Sequence, residues 1–460
     1  MSETLTFDRL ELRPELQSGL RRIEYTVMTK VQAETLPEIL KGHDVLARAK
    51  TGSGKTAAFG LGLLNQLAVG DFTTQSLVLC PTRELADQVA KEIRRLARSI
   101  GNVKILTLCG GAPYGPQCAS LQRSPHVVVG TPGRVLKHIQ KGNLKLSSLQ
   151  SVVLDEADRL LDMGFTDQLD AILEHVPAKR QCLLFSATYP PSIRAISRRC
   201  QRDAKIVDVT DDEKPAEISQ CWCPVTRENR IDQLCKALAA FGGELNIVFC
   251  NTKIDCAEVA TKLRAQGIAA LALHGDLEQR ERTQVLVRFA NRSATVLVAT
   301  DVAARGLDVK NVDAVFNFEL PKQAEVYIHR IGRTARAGKQ GIAVSLIEER
   351  ELWRLQDISA LQPDASMNER SMNAGTGSPN ALQPKMVTLH INGGKKNKLR
   401  PGDILGALTA DGGIAGADVG SIDLFDTFAF VAVSSDVGRA ALRQLAGRPI
   451  KGRKFKVRIA

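Results

Sequence analysis

Aromatic residues are scarce, at 4% of the 460 residues with two tryptophans. So few rings argue against a surface built on aromatic stacking. No apolar run approaches the roughly 18–20 residues of a membrane span, so no membrane partner is expected. Residues Met1–Leu12 alternate acidic and apolar side chains and show no basic-then-apolar leader. Cysteine is missing from the last 200 residues. The ten present, Cys80 to Cys256, are scattered, several of them inside apolar strand-like runs. That is no disulfide framework, and it points to a reducing, cytoplasmic setting. Cys221 and Cys223 stand one residue apart without a second pair, which argues against zinc. The bulk is ordinary: 44% hydrophobic and 24% charged residues describe a globular chain. Its length predicts two to four domains.

What the chain has is positive charge, unevenly placed. The net charge is +12. From Lys385 to the end there are 13 Lys+Arg and 6 Asp+Glu, or +7 over 76 residues, which leaves +5 for the preceding 384. A small basic terminal module points to a polyanion, nucleic acid first, with a merely soluble basic domain as the plain alternative.

Between residues 44 and 209 short apolar strands alternate with amphipathic helical stretches. Runs such as VVVG and SVVLDE are apolar on both faces, as buried parallel strands require. The pattern predicts a doubly wound parallel α/β domain over residues 1–209. A polar, Pro-containing stretch, Thr210–Ala216, separates it from a second such domain over 217–361. Residues 362–384, rich in Ser, Asn, Gly and Pro, read as a flexible linker. Residues 385–460 follow a β-α-β-β-α-β order, a small ferredoxin-like α+β domain.

AKTGSGKT (Ala49–Thr56) lies between a strand and an apolar helix. Small residues let backbone N–H groups close around phosphate oxygens. Lys55 can reach the outer phosphates, and the Thr56 hydroxyl can ligate Mg²⁺. Ala49 stands where the usual first glycine would be; Thr51, Gly52, Ser53 and Gly54 complete the loop. The sequence DEAD (Asp155–Asp158) follows an apolar strand about 100 residues on. At that place Asp155 suits Mg²⁺ binding, partly through water, and Glu156 suits activation of an attacking water. Two Arg-rich segments, ATDVAARGLD (Ala299–Asp308) and HRIGRTARAG (His329–Gly338), lie in the second half. Arginines there can stabilise charge on a transferred phosphoryl group, or form a basic helix facing solvent or RNA.

Together these segments resemble the DEAD-box ATP-dependent RNA helicases. The resemblance rests on Phe7, EYTVMTKVQ (Glu24–Gln32), AKTGSGKT, PTREL (Pro81–Leu85), Gly110–Gly111, TPGR (Thr131–Arg134), DEAD and SAT (Ser186–Thr188). It continues in VFCNTK (Val248–Lys253), HGDLEQRER (His274–Arg282), ATDVAARGLD and HRIGRTARAG. It implies two RecA-like domains followed by an RRM-like one, and an RNA-stimulated ATPase using ATP and Mg²⁺. By the same resemblance Gln32 reads the adenine edge and Phe7 packs on the base, while Asp308 approaches the ribose. Lys55, Asp155, Glu156, Arg333 and Arg336 carry catalysis. Asp158, Ser186, Thr188 and His329 link hydrolysis to closure of the two lobes around ATP and RNA. Arg83, Gly111, Thr131, Arg134, Arg282 and Thr300 lie along the RNA backbone. Glu24 stands where the family usually has Gly, Lys30 where it has Pro, and Ala335 where Gly is common, with little effect expected at the last.

The tail resembles that of the bacterial DbpA subgroup through HINGGKKNKLRPGDILGAL (His390–Leu408). This implies a 23S ribosomal RNA hairpin with its adjacent duplex, and the large ribosomal subunit precursor, as partners. The matching RNP1-like strand, DTFAFVAV (Asp426–Val433), keeps Phe428 and Phe430 but starts on an acid, so those rings are either stacking platforms or core. Lys395, Lys396, Lys398, Arg400, Lys451, Arg453 and Lys454 are the better RNA candidates. An ATP-gated RNA clamp with little unwinding, and a non-enzymatic RNA scaffold, are the rival readings. No oligomeric state follows from the sequence, and a monomer is the default expectation.

Overall fold

The structure, a computed structural model, describes residues 5–49, 52–209, 218–304, 312–335, 340–362, 367–370, 382–410 and 413–460. The chain clusters into two compact units, the first Met1–Lys214 and the second drawn from Pro215–Arg305 and Val309–Ala460.

The first unit holds β1 (Val45–Arg48), β2 (Ser76–Leu79), β3 (Ile105–Leu108), β4 (Val127–Gly130), β5 (Ser151–Leu154), β6 (Gln181–Ser186) and β7 (Lys205–Asp208). All pair in parallel, in the order β3-β4-β2-β5-β6-β1-β7. Alternate residues feed two cores. Val45, Ala47, Val78, Val153, Leu183 and Phe185 pack on one face. Leu46, Leu77, Leu79, Val152, Leu154, Cys182 and Leu184 pack on the other. Helices cover both, so the inner strands β2, β4 and β5 are buried at every position, while the edge strand β7 is largely exposed.

The second unit repeats this with β8 (Ile218–Pro224), β9 (Asn246–Cys250), β10 (Ala270–Leu273), β11 (Val296–Thr300), β12 (Ala314–Asn317), β13 (Gly341–Ile347) and β14 (Met367–Glu369). The order is β10-β11-β9-β12-β13-β8-β14, again parallel. Strand β14 falls inside the segment read as linker. Its three residues are too few and too polar to show a period, and it joins the sheet through backbone pairing with β8. Leu382, near the end of the same segment, is buried in the unit's core. At both points the connection is anchored, which corrects the reading of the whole segment as a free linker.

The terminal module has an antiparallel sheet, β16-β17-β15-β18, from β15 (Met386–Ile391), β16 (Val419–Leu424), β17 (Ala429–Ser434) and β18 (Val457–Ile459). Leu389, Ile391, Ala429, Val431 and Val433 face its core with Ile404 and Leu408 from one helix and Ala441 and Leu445 from another. Three side chains of the opposite face are buried as well. Phe430 is 1% exposed, Thr388 2% and His390 4%. The Thr388 hydroxyl meets Ser293 Oγ at 2.6 Å and accepts from Asn291 Nδ2 at 3.4 Å. Thr295 Oγ1 donates to the Leu382 carbonyl at 2.9 Å, and Lys385 pairs with Glu244. Arg280, on the helix Gln279–Ala290, sits 5.5 Å from the centre of the Phe428 ring. The module is mounted on the second parallel-sheet unit, not tethered beside it. Phe430 is buried among His390, Phe425 and Phe428 of the module itself, and no base can stack on it there.

Candidate nucleotide and RNA sites

The order of strands in the first unit sorts the motifs. Ala49–Thr56, DEAD and SAT follow β1, β5 and β6, which are neighbours. Arg83, Gly110–Gly111 and Thr131–Arg134 follow β2, β3 and β4, also neighbours. Strand C-terminal ends at a reversal of strand order are where open α/β sheets bind ligands. One sheet edge therefore gathers two sites side by side.

At the first site Gly54 adopts φ +97° and opens the helix Lys55–Gln66. The free N–H groups of that helix end suit an anion. Lys55 is buried, and its Nζ donates to the Ala49 carbonyl at 2.8 Å. Gln32 Oε1 accepts from Thr29 N at 2.9 Å, capping the helix Lys30–Leu40, and its Nε2 donates to the Gly54 carbonyl at 3.1 Å. The amide predicted to read a base is thus hydrogen-bonded to the phosphate loop. A Cβ at Gly54 would stand 2.5 Å from Gln32 Nε2, so glycine is required there. Phe7 is 2% exposed, its ring 6.0 Å from that of Tyr25, and it belongs to the core below residues Glu24–Gln32, not to an open platform. Gly52 and Ser53 lie in the loop; Thr51 falls outside the described residues.

The carboxylates of DEAD are all buried. Burial, against the pull of Lys55, pushes the Asp155 carboxyl up to about 7. Its Oδ1 accepts from Glu156 N at 3.0 Å. Glu156 pairs with Arg159 at 2.7 Å and has φ +49°. A left-handed backbone at a non-glycine residue is strained, and such strain concentrates at functional positions. Asp158 Oδ2 accepts from Ala187 N (3.1 Å), Thr188 N (3.0 Å) and Thr188 Oγ1 (2.9 Å), and Ser186 Oγ donates to the Thr188 carbonyl at 2.7 Å. Burial favours protonation of Asp158, but the Thr188 bonds with the charges of Lys55 and Arg159 outweigh it and lower its pKa. DEAD and SAT therefore form one hydrogen-bonded element.

At the second site Gly111 has φ +72°, and a Cβ there would collide with the Arg83 guanidinium. Arg134 donates from Nη1 to the Ala112 carbonyl and to Gln117 Oε1, both at 3.0 Å. Gln117, not picked out from the sequence, also bonds His138 Nε2 at 3.0 Å and the Cys109 carbonyl at 3.0 Å. Two arginines, a glycine turn and Thr131 make a donor-rich rim without bases to read, as backbone contact requires.

In the second unit Thr300 ends β11 and is buried, and Arg282 Nη2 donates to the Ala303 carbonyl at 2.7 Å. His329 is half-buried on the helix Ala324–Ile331, and Arg333, just beyond it, is 4% exposed. Asp308 and Arg336 fall outside the described residues. On the terminal module all seven candidate basic residues are exposed. Lys451 Nζ donates to the Lys398 carbonyl at 2.9 Å, which joins their two loops into one basic surface.

Three family models match the chain: DEAD/DEAH box helicase over residues 29–196, helicase conserved C-terminal domain over 229–338, and DbpA RNA binding domain over 388–459. The chain is 52% identical over 455 residues to the ATP-dependent RNA helicase DbpA of Escherichia coli strain K12, covering 98% of this chain and 99% of that protein. It is 44% identical over 354 residues to the DEAD-box ATP-dependent RNA helicase CshA of Geobacillus kaustophilus, covering 77% and 76%. Among solved structures it is similar to Saccharomyces cerevisiae Dbp5 bound to RNA and ADP BeF3, with TM-score 0.71 and 30% identity over 80% of this chain and 96% of that one. It is also similar to Mss116p bound to ssRNA and AMP-PNP, with TM-score 0.71 and 29% identity over 80% of each chain.

Proposed function

The chain belongs to the DbpA-like DEAD-box RNA helicases, an ATP-dependent RNA helicase with its own RNA-binding domain, and from that premise we propose that it remodels 23S ribosomal RNA in the cytoplasm during assembly of the large ribosomal subunit. The observation that carries this reading is the mounted module. Thr388, His390 and Phe430 of its sheet face are buried, and the basic loops Lys395–Arg400 and Lys451–Lys454 are the exposed surface it offers to RNA. Lysines and arginines on loops suit the phosphates of a folded hairpin better than a stretched single strand. A hairpin held there is held at a fixed place on the second unit, and a duplex beside it is delivered to the motor at high effective concentration.

In the motor, Arg83, Gly111, Thr131, Arg134, Arg282 and Thr300 bind RNA backbone. Dbp5 and Mss116p carry RNA and a nucleotide analogue in their solved forms, which supports two such sites on one chain. Gln32 and Asp308 hold the nucleoside. Thr56 and Asp155 would hold Mg²⁺, and the fit is good: a buried carboxyl with a pKa near 7 gains from a divalent cation facing it. When bound, that ion supplies charge neutralisation between phosphate oxygens. Glu156 takes the proton of the attacking water, and Lys55, Arg333 and Arg336 stabilise charge on the γ-phosphate. Asp158, Ser186, Thr188 and His329 pass the state of the nucleotide to the RNA grip.

The test is ATP hydrolysis measured with 23S RNA and with an unrelated RNA of equal length, for the full chain and for a chain lacking Lys385–Ala460. Stronger stimulation by 23S RNA that disappears on truncation is expected. Equal preference in the truncated chain would overturn recruitment by the module. Strand displacement beside the hairpin separates a helicase from an ATP-gated clamp.

A further inference from the structure

Arg330 is 1% exposed, yet it carries a guanidinium. All five of its N–H groups are used. Nε donates to Asp301 Oδ1 at 2.6 Å, and Nη2 to Asp301 Oδ2 at 2.7 Å and Asn251 Oδ1 at 2.8 Å. Nη1 donates to the Glu319 carbonyl at 2.7 Å and to Asn317 Oδ1 at 3.2 Å. The guanidinium also lies 5.1 Å from the centre of the Phe249 ring. These partners follow or end β9, β11 and β12, three neighbouring strands. Arg330 itself is in the last turn of the helix Ala324–Ile331, three residues before Arg333. It fixes the segment that carries Arg333 to the strand ends.

Asp301 has a second connection. It follows Thr300 directly and opens the short helix Asp301–Ala304, whose Ala303 carbonyl accepts from Arg282. The two RNA-side residues, Thr300 and Arg282, therefore meet the phosphate-side arginine through one bidentate ion pair. A planar fork fits a carboxylate in one geometry. The guanidinium is 1% exposed and the Asp301 side chain 22%, so a shift of Asp301 either carries Arg330 with it or leaves the buried guanidinium without its carboxylate.

We propose that Asp301 and Arg330 are a positioning pair that makes the placement of Arg333 depend on RNA held at Thr300 and Arg282. The proposal rests on the RNA and phosphate roles assigned above. Coupling of this kind is reciprocal: RNA that improves placement of Arg333 implies nucleotide that tightens RNA.

The experiment uses the full chain with Asp301→Asn, Arg330→Lys and, as a milder change, Asn251→Ala, which removes one neutral partner. Thermal unfolding identifies variants that remain folded. Affinity for a single-stranded RNA lacking the hairpin is then measured with and without a non-hydrolysable ATP analogue. In the wild type the analogue tightens RNA by a factor on the order of ten. In Asp301→Asn that factor falls toward one, with Asn251→Ala between the two, while hairpin binding by the module is unchanged. A folded Asp301→Asn chain that keeps the wild-type factor overturns the pair as a coupler. Should the two charged variants fail to fold, an unchanged factor in Asn251→Ala does the same. Failure of the underlying assignment looks different: the wild type itself shows no coupling, or Thr300→Val and Arg333→Gln leave the factor intact.

Discussion

Replacing Glu24 with glycine removes a strained backbone position, and the effect can be worked out from the structure. Glu24 has φ +57° and Ala335 has φ +56°. Both stand where the DEAD-box pattern has glycine, and a side chain in the left-handed region costs roughly 1–2 kcal/mol. Glycine relieves that but has more freedom to lose from the unfolded chain, about 0.4–1 kcal/mol. Glu24 is exposed, so nothing else changes, and Glu24→Gly stabilises the first unit by about 0.5–1 kcal/mol. Ala335 is 7% exposed, so glycine there also forfeits a buried methyl worth about 0.8 kcal/mol. The three terms nearly cancel, and Ala335→Gly leaves the second unit's stability about where it was. Calorimetry of the full chain resolves the two cases, since about 1 kcal/mol moves the transition of a unit this size by roughly 2–4 °C. Glu24→Ala is the control, because it removes the carboxylate and keeps the Cβ. The reasoning is refuted if Glu24→Gly lowers the midpoint, or if Glu24→Ala raises it as much as glycine does.

Glu156→Gln keeps the shape and the left-handed backbone of the proposed general base while removing its basicity; RNA-stimulated phosphate release should fall about 10²–10⁴-fold with nucleotide binding retained. Asp158→Asn weakens the three bonds that tie DEAD to SAT. Because the Asp158 carboxyl is held below its usual 3.8, the wild type's stability advantage over this variant is present at neutral pH. It shrinks as pH falls below that value, and denaturant titrations at pH 7 and pH 3 measure the difference. Phe430→Ala removes a buried ring from the cluster of His390, Phe425 and Phe428 at a cost of about 3–5 kcal/mol. Hydrogen exchange across β15 and β17 should rise in that variant, and unchanged protection there would refute the packing role of this ring.

The two parallel sheets are legible in the sequence because runs such as Val127–Gly130 and Ser151–Leu154 are apolar at every position, which only a strand covered on both faces tolerates. The phosphate loop is legible because Gly54 and Lys55 have few other uses between a strand and a helix. Strand β14 is not legible, since Met-Asn-Glu owes its place to backbone pairing alone. The mount is hidden for a different reason. Thr388, His390 and Phe430 alternate with core residues, and this mixed polar and aromatic face does not name what lies across from it. The burial of Phe7 against Tyr25, and the bond from Gln32 to Gly54, depend on contacts between distant segments that no local pattern carries.

The mounting of the module has a consequence for engineering. The docked and the exposed residues of this small module are different: Thr388 bonds Asn291 and Ser293, while the loops Lys395–Arg400 and Lys451–Lys454 remain open to solvent. A foreign RNA-binding domain spliced in after Leu382 would arrive without the docking residues and would hang on the chain unanchored. With RNA chosen by those loops, as proposed above, retargeting the enzyme calls for exchanging two loops on a retained scaffold.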